Sequence, residues 1–175
     1  MMILRRAVRG AVAWAVAVLA LATAPAAVAS PARVVPDGVY RIALGGDGNA
    51  LLTHISNQQG SPTVLLPTFG DPGPQEWEFV RDSRTSQLIR NLRTGLYLGL
   101  GGREPQDRRP VVASPYPFSW SVRVVGSAPE RVHIYPVLGG ALRLDRSPRP
   151  VHPPRVDIQA VRDDGTQEWV LVPRG

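Results

Sequence analysis

The 175-residue chain contains no cysteine and no lysine. Without cysteine there can be no disulfide, zinc–thiolate site, thiol nucleophile or dithiol redox chemistry, and stability must come from a hydrophobic core. All 20 basic residues are arginine, and they are scattered, with no basic stripe interleaved with aromatics. A solvated surface explains them better than a nucleic-acid interface, so no nucleic-acid partner is expected. The three histidines, His54, His133 and His152, lie far apart and lack metal-ligand spacing. There is no G-x-S-x-G elbow, and Gly99-Leu100-Gly101-Gly102 opens no helix that could complete a phosphate loop. Asp163-Asp164 reads as a pair of solvated turn carboxylates. We therefore expect a non-enzymatic protein with no cofactor and no metal. Eighteen prolines and 17 glycines leave no convincing amphipathic helix after the N-terminal segment.

That segment has the grammar of a signal peptide. Arg5, Arg6 and Arg9 form a positive start, Gly10–Ala22 is an almost unbroken apolar run, and Ala27-Val28-Ala29 offers a small-x-small cleavage site before Ser30. Residues 1–29 are expected to be removed, giving a secreted, extracellular protein. The alternative is an uncleaved anchor, since the apolar stretch is almost long enough to span a bilayer. Cleavage removes three arginines, half of the formal charge of +6. Residues 30–175 suit one domain, contain no further membrane-spanning run, and are expected to be monomeric.

Within that domain Trp77, Trp120 and Trp169 each close a comparable block. The first reads Val39–Ile42, Ala50–Leu52, Val64–Leu66 and Trp77–Val80. The second reads Leu88–Asn91, Leu96–Leu98, Val111-Val112 and Trp120–Val122. The third reads Val132–Tyr135, Leu142–Leu144, Val156–Ile158 and Trp169–Val172. These short β-branched and aromatic segments predict strands, with glycine-bearing turns at 45–49, 93–95 and 138–140. Three four-stranded units, about 36–82, 83–128 and 129–175, give an all-β chain of twelve strands. The pattern resembles a β-trefoil, and Gln75-Glu76-Trp77 and Gln167-Glu168-Trp169 resemble its Q-x-W signature. Phe118-Ser119-Trp120 departs from it. A sandwich with coincidental tryptophans is the alternative fold.

Trefoils host several functions, so the site must decide. In the ricin-type lectins the resemblance implies an Asp after the second strand, a stacking aromatic after the third, and an Asn or Asp shortly before Q-x-W. Asp145, Asp164 and Gln167 match two of these elements in the third unit, implying a glycan pocket there, but the aromatic position near Gln159-Ala160 is empty. Thr53 and Gly99 stand where the other two units need an Asp.

Over the whole domain, Pro36–Ile42, Thr94–Leu98 and Gln167–Pro173 are similar to the cysteine-free, cospin-like fungal trefoil inhibitors of serine proteases. That resemblance implies an extracellular serine protease as partner, and a loop between the first unit's second and third strands that enters its cleft as substrate does. Ser56, Asn57 and Gln58 form the implied contact, with Asn57 entering the specificity pocket. Arg84, in a loop comparable to the reactive loop of plant Kunitz-type inhibitors, is the alternative reactive residue. Inhibition is the leading expectation, with carbohydrate binding as the alternative.

Overall fold

The computed structural model describes residues 35–174. The expected signal peptide lies outside the described residues. Twelve strands run in order: β1 Gly38–Leu44, β2 Asp47–Thr53, β3 Val64–Leu66, β4 Trp77–Arg81, β5 Gln87–Asn91, β6 Tyr97–Leu100, β7 Arg109–Ser114, β8 Ser119–Val125, β9 Ala128–Pro136, β10 Leu142–Arg146, β11 Val156–Ala160 and β12 Trp169–Pro173. A short 3₁₀ turn, Gly73–Gln75, leads into β4. Each of the twelve expected segments is a strand. The hairpin of β8 and β9 extends further than its apolar centre suggested, because Gly126 at φ 61° turns the chain tightly at its tip.

Six strands close on themselves. β1 pairs with β4, β4 with β5, β5 with β8, β8 with β9, β9 with β12, and β12 with β1. This barrel has no free edge. The other six form the hairpins β2–β3, β6–β7 and β10–β11. The hairpins are stitched to one another by β11 on β7 and by the bridges Pro62–Val112 and Val64–Arg155, and together they cap one barrel end. The architecture is a β-trefoil.

Pseudo-symmetry extends to single side chains. Strands β4 and β12 share one burial pattern, with Trp and the residue two further on buried and the last two residues exposed. Trp77, Trp120 and Trp169 are fully buried. Their Nε1 atoms donate to Leu52, Leu98 and Leu144 carbonyls at 2.9, 2.8 and 3.0 Å. Each indole thus ties a barrel strand to the hairpin of its own unit, while its ring joins a core that includes Ile42, Phe79, Ile89, Ile134 and Leu171. Buried tryptophan keeps its one donor satisfied this way.

Candidate functional site

The cap presents three pseudo-equivalent places, one per unit, where the end of the hairpin's first strand meets the residue two before the tryptophan. The pairs at these places are Thr53 with Gln75, Gly99 with Phe118, and Asp145 with Gln167. In the first, Gln75 Nε2 donates to Thr53 Oγ1 at 3.2 Å. In the third, Gln167 Nε2 donates to Asp145 Oδ2 at 3.1 Å. The second has no polar pair.

The third unit does bring Asp145, Asp164 and Gln167 together, but around a group of the chain's own. Arg162 Nη2 donates to Asp145 Oδ2 at 2.5 Å and to Thr166 Oγ1 at 3.2 Å. Its Nη1 donates to the Gln159 side chain at 2.8 Å, and its Nε pairs with Asp164 at 3.3 Å. Asp164 in turn accepts from the Thr166 hydroxyl and amide, which hold its carboxyl below the ordinary range. The side chain of Asp145 is only 4% exposed. The polar set expected to receive a sugar is therefore filled by the Arg162 guanidinium.

The second unit has the complementary character. An open groove of about 550 Å³ runs past Gly99, Gly101, Gly102, Arg103, Tyr116 and Phe118. Tyr116 is 72% exposed. Its amide and carbonyl are both held by the Ser114 hydroxyl, at 3.1 and 2.8 Å. Gly99 is required by close approach, since a Cβ there would lie 2.6 Å from Ser114 Cβ. An acid at this position, as in the lectin pattern, cannot fit against β7.

The first unit places an aromatic ring in one pocket with an acid–base pair. Its pocket, about 290 Å³, is lined by His54, Ile55, Asn57, Phe69, Asp71, Pro74 and Arg93. Gln75 fixes the base of the Phe69 loop by donating to the Pro67 carbonyl at 2.9 Å. Asp71 Oδ1 accepts from the Gly73 amide at 3.1 Å, starting the 3₁₀ turn, and Asp71 Oδ2 forms an ion pair with Arg93. Asn91 holds both sides: its Nδ2 donates to the Pro74 carbonyl at 2.9 Å, and its Oδ1 receives the Thr94 amide beyond Arg93 at 3.1 Å. Phe69 and Ile55 are exposed apolar residues at the rim. His54 is buried against Trp77, with ring centroids 4.6 Å apart, and its Nε2 lies 3.0 Å from Thr63 Oγ1. The other ring nitrogen, Nδ1, is buried and meets no partner among the described residues. Burial pushes the His54 pKa down to about 4, so the ring is neutral at ordinary pH.

Of the residues expected to contact a protease, Asn57 lines this pocket, and Asn57 and Gln58 are exposed. The segment is not extended as a substrate-like strand must be. It bends at Asn57-Gln58, with the Gln58 amide on Ser56 Oγ at 3.1 Å, and turns at Gln59-Gly60. The Gly60 amide then anchors it to the Ala113 carbonyl at 2.8 Å. Arg84 is exposed in the β4–β5 loop, beyond the end of β4 that lies away from the capping hairpins, and is not brought near Asn57. Sequence reasoning missed Phe69, Asp71 and Arg93. The order Phe69, Asp71, Gln75, Trp77 carries the signal, but Thr53 at the acid position obscures it.

No protein-family model matches the chain, and no curated protein does. Solved structures do match. A ricin B-like lectin of Macrolepiota procera, in complex with lactose, superposes with TM-score 0.68 at 20% identity, covering 81% of this chain and 99% of the lectin. The Rhizoctonia solani agglutinin gives TM-score 0.67 at 17% identity, covering 83% of this chain and all of that one. A designed three-fold symmetric protein, ThreeFoil, gives TM-score 0.70 at 18% identity, covering 79% and 100%. At these identities the likeness is one of fold: this chain folds as the ricin B-like lectins and a designed threefold protein do.

Proposed function

We propose that this domain is a secreted carbohydrate-binding module, without catalytic activity of its own, that takes a sugar ring in the pocket of its first unit. The observation that carries the reading is the exposed Phe69 ring in one pocket with the Asp71–Arg93 ion pair and Asn57. A sugar stacks its C–H face on an aromatic ring while its hydroxyls exchange hydrogen bonds with fixed polar groups around the edge. Asp71 offers an acceptor, Arg93 offers donors and Asn57 offers both, and the ion pair holds the first two in place before a ligand arrives. The lactose-bound state of the Macrolepiota procera lectin, which shares the fold, supports this class of ligand.

The test is a glycan array probed with the protein and with Phe69→Ala. The reading expects binding to a defined set of sugars by the wild type and its loss in the variant. Inhibition of trypsin or subtilisin at micromolar protein, with no sugar bound, would replace it with the inhibitor expectation.

A further inference from the structure

Away from the three pockets, the outer face of β8, β9 and β10 carries an arrangement that the sugar reading does not use. Ser121 on β8 is paired with Tyr135 on β9, and Arg123 with His133. Arg123 accordingly lies diagonally over the Tyr135 ring, its guanidinium carbon 4.7 Å from the centroid. Arg143 from β10 approaches the same ring at 5.3 Å, and its Nε donates to the Tyr135 hydroxyl at 3.1 Å. His133 stands edge-on to Tyr135, with centroids 6.0 Å apart.

The protons in this group can be placed by counting donors and acceptors. Arginine only donates. At the 3.5 Å contact between Arg143 Nη1 and His133 Nε2, the imidazole therefore accepts. Burial, and then the Arg143 charge, lower the His133 pKa and favour the neutral ring. A neutral ring accepting at Nε2 carries its proton on Nδ1, which lies 3.4 Å from the Tyr135 hydroxyl and donates to it. The tyrosine oxygen then receives two hydrogen bonds, and its own proton meets no acceptor among the described residues. Arg123 donates from Nε to Ser121 Oγ at 3.2 Å, and its two terminal nitrogens have no acceptor among the described residues. Arg143 Nη1 also serves the Arg162 carbonyl at 3.0 Å, while Nη2 has only the exposed Asp163 at 3.9 Å. The other nearby acid, Glu168, is taken by Arg131 at 2.9 Å. The face is rich in preset donors and poor in acceptors.

We propose that Arg123, Tyr135 and Arg143 form a binding site for an oxyanion, the sulfate or carboxylate group of an acidic ligand. Such a group is all acceptor: it takes the tyrosine proton and the free guanidinium N–H groups in charge-assisted hydrogen bonds. Arginine suits this better than lysine, because its planar fork is already oriented by stacking on the ring. The inference stands independently of sugar binding at Phe69.

The experiment is an NMR titration of the protein at fixed ionic strength with a sulfated disaccharide, its unsulfated counterpart and inorganic sulfate. Amides of β8–β10 are expected to shift and saturate with the sulfated compound and not with the unsulfated one. Tyr135→Phe keeps the ring and removes the hydroxyl, and Arg123→Gln removes one cation; each is expected to weaken binding about tenfold. Arg149→Gln, which removes an exposed charge elsewhere, is expected to change nothing, and Phe69→Ala is expected to leave this site intact. Equal saturation by inorganic sulfate and the sulfated sugar assigns the free anion as ligand and retains the site. Undiminished binding in Tyr135→Phe and Arg123→Gln, equal weakening in Arg149→Gln, or no shifts on β8–β10 would overturn the proposal.

Discussion

Arg162 donates to Asp145 Oδ2 at 2.5 Å, and this contact occupies the acid of the third unit. The carboxylate that should recognise a sugar hydroxyl is instead neutralised by the loop that follows β11. Arg162→Ala should therefore lower stability by about 1–3 kcal/mol in urea unfolding, because Asp145 is left buried with Gln167 as its remaining side-chain donor. Sugar affinity should stay within about twofold of wild type, since the pocket at Phe69 is untouched. A large loss of sugar binding in Arg162→Ala would move the site to the third unit.

His54 should make the fold acid-sensitive. Its pKa is about 4 in the folded protein and about 6.5 in an unfolded chain. Between those values the unfolded chain binds the proton and the folded chain does not, so stability is complete above about pH 6.5 and falls as pH drops toward 4. At about 1.4 kcal/mol per unit, the contribution lost reaches about 3 kcal/mol. Urea midpoints of wild type and His54→Gln measured at pH 7, 5.5 and 4.5 isolate this term from the carboxylates. The wild type should lose more stability than the variant across that range, and parallel curves would contradict the assignment.

The three tryptophans should be energetically alike even though their flanking residues differ. Replacing Trp77, Trp120 or Trp169 by Phe removes one buried hydrogen bond and part of a core side chain, at about 1–3 kcal/mol each. Denaturant unfolding of the three variants checks this. If Trp120→Phe were neutral, the indole would depend on the glutamine two residues before it, which the second unit lacks.

Gly99→Ala should destabilise by about 1–3 kcal/mol through overpacking, since the new methyl would meet Ser114 Cβ at 2.6 Å. Adding Ser114→Gly should recover part of the loss, because it removes the colliding atom. The double mutant's melting temperature should therefore lie above that of Gly99→Ala alone. Further loss in the double mutant would show that the strain lies in the backbone.

The fold was legible because each local choice repeated itself. Three Trp-closed blocks with turn glycines at similar offsets predict twelve strands, and Val64–Leu66 has the same limits in sequence and structure. Strand ends such as Val125 and Ala128 were not legible, because pairing carries the β8–β9 hairpin past its apolar centre. The site was read only in part. Asp145, Asp164 and Gln167 do converge, but the residue that fills their space, Arg162, lies 17 positions from Asp145 and carries no local mark of that role. Phe69 and Asp71 precede Gln75 in the order a sugar pocket needs. Their partners Asn57 and Arg93 arrive from other loops, through the fold alone.

The most direct test of the account is a calorimetric titration of the protein with the best ligand from the array, repeated for Phe69→Ala, Asp71→Ala and Asp145→Ala. The first two variants should each weaken binding at least about tenfold, in line with the loss of a stacking ring or a charged hydrogen bond. Asp145→Ala, once its folding is verified, should bind as wild type does. Full affinity in Phe69→Ala together with loss in Asp145→Ala would contradict the account.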